Sequence, residues 1–390
     1  MSVLDHVGQL VADNNFDHPV HFVYPHLLSA KAARLNKAFP GKVLYAVKCN
    51  EDNRILQALY DGGIRHFDTA SVHEIEVVTS RFEDASCYFM NPVKSYDSID
   101  RSYNEFGLRN YSLDHENELK KFIELIAPTD RADVRLMVRL DLPRQMATMD
   151  LGGKFGATPE RAAHLLQEIK EAGFRCGVCF HVGSHCLNPM AFRRALTLAK
   201  DIEQAAGVEY EVIDCGGGFP VSYTGQEPVF EVFVSEIKQT IADLQFAGEP
   251  EYWCEPGRAL CAEGQSIVTR IDLRRDGDLF LNDGVFGGLS ELKYLGAHFP
   301  LRVMRSDGTV RGGDLREYRM FGPTCDNVDS CPGPFLLPDD IETGDYLEVG
   351  MIGAYSNAYR TRFNGFFSDT FMCLESDPFW VRPEAAVQVA

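Results

Sequence analysis

Apolar residues in this chain come in short runs that stop abruptly at a charged or amide side chain. Between the runs the apolar positions spread to every third or fourth residue. The run Val43-Leu44-Tyr45-Ala46-Val47-Lys48-Cys49-Asn50 is mostly apolar or aromatic and is closed by Asn50, Glu51 and Asp52, so it predicts a buried strand with Lys48 at its carboxyl end. Further strands are predicted at 65–68, 87–91, 111–114, 134–139, 177–181, 210–214 and 252–255. Helical spacing separates them. Leu28, Ala32, Leu35 and Phe39 share a face within 25–39, and Phe192, Ala195, Leu196 and Ala199 share one within 189–206. The segment 159–172 opens with Thr158 as N-cap and Pro159 in its first turn, and carries Ala162, Leu165, Leu166 and Ile169 on one face. Strands alternating with helices eight times predict an α/β fold, a closed parallel (β/α)8 barrel, with a doubly wound open sheet as the alternative.

After about Arg258 the rhythm changes. Short alternating strands such as 265–272 and 346–349 are broken by Gly, Pro and Asp clusters, with little helical periodicity, which predicts a second, mainly antiparallel β domain. The expected division is a barrel over 25–262 and a β domain over 263–390, to which the N-terminal 1–24 can add a strand. A length of 390 residues suits a barrel of roughly 250 residues plus such a domain.

Composition narrows the partners. A formal net charge of -19 repels nucleic acid and anionic membrane surfaces and favours cationic small molecules. No apolar run reaches membrane-spanning length and the first residues lack a signal-peptide pattern, so the expected compartment is the cytoplasm. The 11 cysteines are odd in number and without repeated spacing, which argues for free thiols. Cys176 and Cys179, with His181 and Cys186 nearby, have a superficial zinc spacing. Strand alternation, however, turns Cys179 and His181 to one face and Phe180 to the other, so no metal is expected.

Chemistry in parallel barrels gathers at the carboxyl ends of strands. Here those ends carry Lys48, Asp68, Asn91, Asp114, Arg139, His181 and Glu255, while Asp214 leads into a glycine run. A lysine in that mouth can have its pKa depressed by burial and attack an aldehyde; the plainer alternative is a surface lysine after an edge strand. In Asp214-Cys-Gly-Gly-Gly218-Phe-Pro220 the bare glycine N–H groups can wrap an anion. Pro220 and a missing third glycine argue against a dinucleotide, leaving a single phosphate or merely a tight loop. Glu255-Pro-Gly-Arg258 offers a carboxylate for a ring nitrogen and a guanidinium for a phosphate, or else a structural ion pair. His181-Val-Gly-Ser184 offers an imidazole and a hydroxyl, or a satisfied core histidine. Together the four describe an aromatic aldehyde phosphate held by a lysine, which is pyridoxal 5'-phosphate.

Tyr45-Ala-Val-Lys48, His181-Val-Gly-Ser184, Gly216-Gly-Gly218, Glu255-Pro-Gly-Arg258, Gly322-Pro-Thr-Cys-Asp326 and Gly353-Ala-Tyr355 occur in an order and spacing that resembles the eukaryotic-type ornithine decarboxylase family. That family belongs to the alanine-racemase-like (fold type III) pyridoxal phosphate enzymes. The resemblance implies that Lys48 carries the cofactor as an imine, with Asp68 and Glu74 nearby. It implies that His181 stacks on the pyridine and Arg139 buttresses the site. Ser184, Gly217, Gly218, Arg258 and Tyr355 would hold the phosphate, and Glu255 would pair with the ring nitrogen. A protonated pyridinium is the electron sink for the carbanion left when carbon dioxide departs. Cys325 would return the proton, as a thiol's acidity allows near neutral pH.

In the family the Cys325 loop comes from the partner subunit, which implies a homodimer with shared active sites. Asp326 would meet the substrate's distal amine, and Lys154 would pair with the partner's Asp329. Phe286, Glu291 and Phe363 would complete the substrate side. Two of these depart from the family pattern: Phe286 stands where tyrosine is usual, and Glu291 stands at or near a usual aspartate. A glutamate reaches roughly 1.3–1.5 Å further, which crowds ornithine or changes how a guanidinium is held. The implied activity is decarboxylation of a basic L-amino acid, L-ornithine to putrescine first. L-arginine, L-lysine or a shorter diamino acid are the alternatives. Diaminopimelate decarboxylases usually have Cys-Glu-Ser where Cys325-Asp326-Asn327 stands, and an inactive regulatory relative would tend to lack Lys48 or Cys325, both present here.

Overall fold

The computed structural model describes residues 4–142, 153–295 and 299–381, together with the backbone of 147–149. The first 3 residues and 382–390 of the predicted β domain lie outside this range. In chain order the strands are β1 (Val20–Val23), β2 (Lys42–Ala46), β3 (His66–Thr69), β4 (Ser86–Phe89), β5 (Asn110–Leu113) and β6 (Arg135–Arg139). They continue as β7 (Ala147–Met149), β8 (Arg175–Cys179), β9 (Ser184–Cys186), β10 (Val212–Asp214) and β11 (Glu251–Cys254). Eight of them close a parallel barrel in the order β10-β11-β2-β3-β4-β5-β6-β8, while β7 and β9 form a small antiparallel ribbon at its mouth.

The barrel closes because both faces of its strands are apolar. Leu44, Tyr88, Met90, Met137, Cys179, Val212 and Trp253 fill the interior. Tyr88 packs edge-on against Trp253 at 4.8 Å, and the indole N–H donates to Glu251 at 3.1 Å. Outside, the helices Pro25–Ala38, Pro159–Glu171 and Met190–Ala206 bury the apolar faces read from the sequence, and Thr158 caps the second of them by accepting from Arg161 N. Cys176 and Cys179 do not converge: Cys176 joins the outer core and Cys179 the barrel interior.

The strands end earlier than the apolar runs do. β2 stops at Ala46, and Lys48 sits on a single 3-10 turn, Val47–Cys49. His181 and Glu255 likewise lie past β8 and β11. The cause is local hydrogen bonding that pulls the backbone off the ladder. The Tyr45 hydroxyl donates to Asn50 O at 2.9 Å, Tyr355 N donates to Cys49 O at 2.8 Å, and Glu255 N donates to Gly216 O at 2.8 Å.

The remaining strands are β12 (Gln265–Arg275), β13 (Asp278–Leu281), β14 (Leu301–Met304), β15 (Leu315–Phe321), β16 (Ser330–Pro338), β17 (Tyr346–Val349) and β18 (Thr370–Cys373). They form a curled sheet in the order β14-β17-β12-β13-β15-β16, with β1 joined to β12 and β18. Most pairs are antiparallel, but β1 with β18 and β13 with β15 run parallel, so the sheet is mixed. The parallel pairs arise because β1 arrives from before the barrel and β15 returns over a long connection, neither of which periodicity reveals.

Trp253 is wholly buried and anchors the barrel interior. Trp253→Ala is expected to lower the unfolding free energy by about 3–5 kcal/mol in chemical denaturation.

Candidate active site

Loops beyond the barrel strands surround one cavity of about 530 Å³. Lys48, Asp68, Arg139, His181, Ser184, Glu255, Glu291 and Tyr355 all line it, as do Lys154, Tyr294 and Tyr359. At its floor Lys48 Nζ donates to Asp68 Oδ2 at 3.1 Å. Burial works to lower the Lys48 pKa, but the Asp68 and Glu255 carboxylates outweigh it and raise it above the ordinary lysine range. This reverses the expectation of a depressed amine: the sequence shows the burial but not the two carboxylates that β3 and the end of β11 bring to it. Glu74, on the next helix, accepts from Ala70 N at 2.6 Å, and burial pushes its carboxyl up to about 7.

The His181 ring accepts from Gly183 N through Nδ1 at 3.0 Å, which leaves the proton of the neutral ring on Nε2. Burial first, then Arg139 and Lys48, hold it well below the usual histidine range, so it offers an uncharged flat face. Gly217 lies against that ring. A Cβ there would come within 2.7 Å of Glu255 O and 3.0 Å of His181 Nε2. At Gly218, with φ +102°, a Cβ would meet Gly183 O at 2.4 Å. No side chain fits in this cradle.

Arg258 opens a short helix, Arg258–Cys261, and packs against Tyr355 with its guanidinium 5.2 Å from the ring centre. Its Nη1 donates to the Tyr223 hydroxyl at 3.1 Å and to Glu291. Its Nε and Nη2 are buried and have no partner among the described residues. Two orphaned cationic N–H groups on Arg258, which packs on the cavity residue Tyr355, together with the glycine run and Ser184 are of the chemistry that holds a phosphate, and the neutral His181 face and buried Glu255 fit an aromatic ring with a basic nitrogen.

Glu291 is placed differently from expectation. The helix Ser290–Leu295 turns it inward, where it is 1% exposed and bound to Arg258, so its carboxylate is engaged rather than offered to a substrate amine. Cys325 and Asp326 lie elsewhere, in a separate hollow with Phe321, Thr324 and Phe366. Cys325 is exposed with Sγ 3.5 Å from Asn364 Oδ1, and Asp326 Oδ1 accepts from Val328 N at 2.8 Å. Phe286 and Phe363 pack together with ring centres 4.9 Å apart. Asp329 does not reach outward: its two oxygens accept from Val285 N at 2.8 Å and from Thr324 N and Oγ1 at 3.0 and 2.7 Å, fastening the Cys325 loop. Lys154 lies 4.8 Å from the centre of the Phe155 ring. The sequence reading missed Tyr223, Tyr294 and Tyr359, which carry no motif and reach the site only through the fold.

Such a barrel, with lysine, buried carboxylate and phosphate cradle at one mouth and a curled sheet beside it, defines an alanine-racemase-like pyridoxal phosphate enzyme. Residues 26–262 match the pyridoxal-binding domain of the pyridoxal-dependent decarboxylases, and the chain belongs to that family. It is 31% identical over 346 residues to the lysine/ornithine decarboxylase of Selenomonas ruminantium, covering 86% of this chain and 84% of that one. Its structure resembles the Paramecium bursaria Chlorella virus arginine decarboxylase bound to agmatine, with a TM-score of 0.82 at 26% identity over 94% of this chain and 99% of that one. It also resembles the Vibrio vulnificus lysine/ornithine decarboxylase complexed with putrescine, with a TM-score of 0.80 at 29% identity over 95% and 99%.

Arg258→Leu removes the two free donors. Equilibrium dialysis of the apoprotein is expected to show pyridoxal phosphate affinity falling about ten- to a hundredfold while pyridoxal, which lacks the phosphate, binds much as before. Equal losses for both would take Arg258 away from the phosphate. Because this variant strands Glu291, its fold should weaken by about 3–5 kcal/mol, a loss that Arg258→Leu with Glu291→Leu largely restores.

Proposed function

We propose that the chain decarboxylates a basic L-amino acid, L-ornithine to putrescine before L-lysine or L-arginine. It does so as a cytoplasmic homodimer that supplies a diamine for polyamine synthesis. The observation that carries this reading is the division of the chemistry into two sets. Lys48, His181, Ser184, Glu255 and Tyr355 surround the cavity, whose described lining includes no cysteine, while Cys325 and Asp326 stand exposed on the second sheet. A second copy facing the first would bring thiol and carboxylate to the cavity and complete it. The lysine/ornithine relatives and the acidic surface of the chain support a cationic substrate.

When bound, pyridoxal phosphate supplies the electron sink for the pair left at the α-carbon as carbon dioxide departs. The chain's own residues do the rest. Asp68 holds Lys48 at the floor, and His181 would present its neutral face to the ring. Glu255 would pair with the ring nitrogen. Arg258, Tyr355, Ser184 and the glycines would hold the phosphate and exclude water from it. The partner's Cys325 returns a proton to the α-carbon. With Glu291 bound to Arg258, the partner's Asp326 is the free carboxylate for the distal amine.

Turnover measured side by side on L-ornithine, L-lysine and L-arginine should be fastest on ornithine. A faster rate on another acid would overturn the substrate, and no carbon dioxide from any would overturn the activity. Lys48→Ala and Cys325→Ala chains should each be inactive, yet mixing them after dissociation should restore part of the turnover. No recovery would sink the shared site.

A further inference from the structure

Asp214 is the last residue of β10 and is fully buried. Its Oδ1 accepts from Gly216 N at 2.8 Å. Its Oδ2 is also buried, and among the described residues no N–H or hydroxyl reaches it. What acts on it is another buried carboxyl group, that of Glu255. The barrel register enforces this contact, because Asp214 pairs with Trp253 and Glu255 follows two residues on. Two carboxylates cannot face each other in a dry site without a proton between them.

The surrounding groups say how many protons. Asp68 adds a third carboxyl, while Lys48 and Arg139 contribute the two facing cations. With one proton on the Asp214 and Glu255 pair, the carboxyls carry two negative charges against two positive ones. The other groups near the pair, Cys179, Cys254, Cys215 and Tyr88, are held neutral by burial.

We infer that Asp214 is a positioning residue that shares a single proton with Glu255 and takes it over when Glu255 must stand as an anion opposite a protonated ring nitrogen. This rests on the reading that Glu255 faces that nitrogen. The step is balanced within the pair: the O–H bond on Glu255 breaks, one forms on Asp214, and the new O–H donates back to Glu255. No proton has to cross the barrel. Burial raises both carboxyls: Asp214 to about 6, where Asp68 adds to it while the Gly216 N–H and Glu255 oppose it, and Glu255 further, where Asp214 and Asp68 add to it, so the pair holds its proton at neutral pH.

The infrared spectrum of the apoprotein tests the pair without the cofactor. Because Glu74 and the buried Asp283 are also raised to about 7, the reading is the difference spectrum: at neutral pH, parent minus Asp214→Asn and parent minus Glu255→Gln should each contain the deuterium-sensitive carbonyl stretch of a buried neutral carboxyl group. Absence of that band from either difference spectrum overturns the shared proton. Stability gives a second reading. A carboxyl raised to about 6 stabilises the fold fully below its unfolded value near 3.9 and loses that contribution as pH rises through 6, a slope that Asp214→Asn should remove. For the positioning role, Asp214→Asn keeps a donor to Glu255 and should retain most of the pyridoxal phosphate affinity, whereas Asp214→Leu should lose about tenfold. Equal affinity in Asp214→Leu and the parent overturns that role. If the infrared band behaves as expected but Glu255→Gln leaves cofactor affinity and visible spectrum unchanged, the reading of Glu255 fails and the positioning role fails with it, while the shared proton stands.

Discussion

Three carboxyl groups and two cations share the carboxyl end of one barrel, and the rest of the site depends on keeping that cluster near neutrality. Asp68 and Glu255 outweigh the desolvation of Lys48 and hold it charged in the floor. The carboxyls in turn are tolerable there only beside Lys48 and Arg139. Each comes from a different strand or from the loop just past one, so no local segment can assemble the cluster. Barrel closure is the condition for the chemistry, and the mainly apolar interior beneath it, packed around Trp253, keeps the Asp214 and Glu255 carboxyls buried.

The second sheet also reaches this floor. Asn50, two residues after Lys48, donates to Gly353 O at 2.8 Å and lies 3.4 Å from Gln265 Oε1. Gln265 in turn contacts His21 at 3.0 Å and Asn357 at 3.1 Å. A buried polar network thus ties the Lys48 turn to β1, β12 and the Tyr355 loop. Tyr355 itself has φ +61°, and its N–H is fastened to Cys49 O. A tyrosine held in the left-handed region beside a buried cation is a conformation the surrounding contacts must impose. Those contacts make the lysine turn and the phosphate cradle one rigid unit.

The barrel was legible in the sequence because strands buried on both faces read as nearly unbroken apolar runs, and Lys48, His181 and Glu255 fall where those runs end. The glycine cradle was legible because Gly217 and Gly218 sit where a Cβ would strike backbone, a requirement that leaves a mark in residue type. The direction of the Lys48 pKa was not, since it is decided by carboxylates brought in from distant strands. Nor was the fate of Glu291, whose partner Arg258 lies across the fold and shares no periodic pattern with it. Periodicity reports which face is buried; it is silent on which buried charges meet.

That last pairing bears on recognition at the far end of the cavity. Every carboxylate in its described lining is engaged: Asp68 with Lys48, Glu255 with Asp214, and Glu291 with Arg258. Moving Glu291 outward to greet an amine would leave Arg258 less well compensated and change the phosphate cradle at the same time, so one residue cannot tune substrate fit independently of cofactor grip. Among the described residues, groups left at the cavity for a cation include the faces of Tyr294 and Tyr359, both about half exposed there. Aromatic faces attract positive charge without fixing its distance as a carboxylate does. In the proposed dimer, discrimination among side chains of different length would then fall to groups brought from outside this cavity, and the exposed hollow that holds Asp326 is the surface the proposal assigns to it.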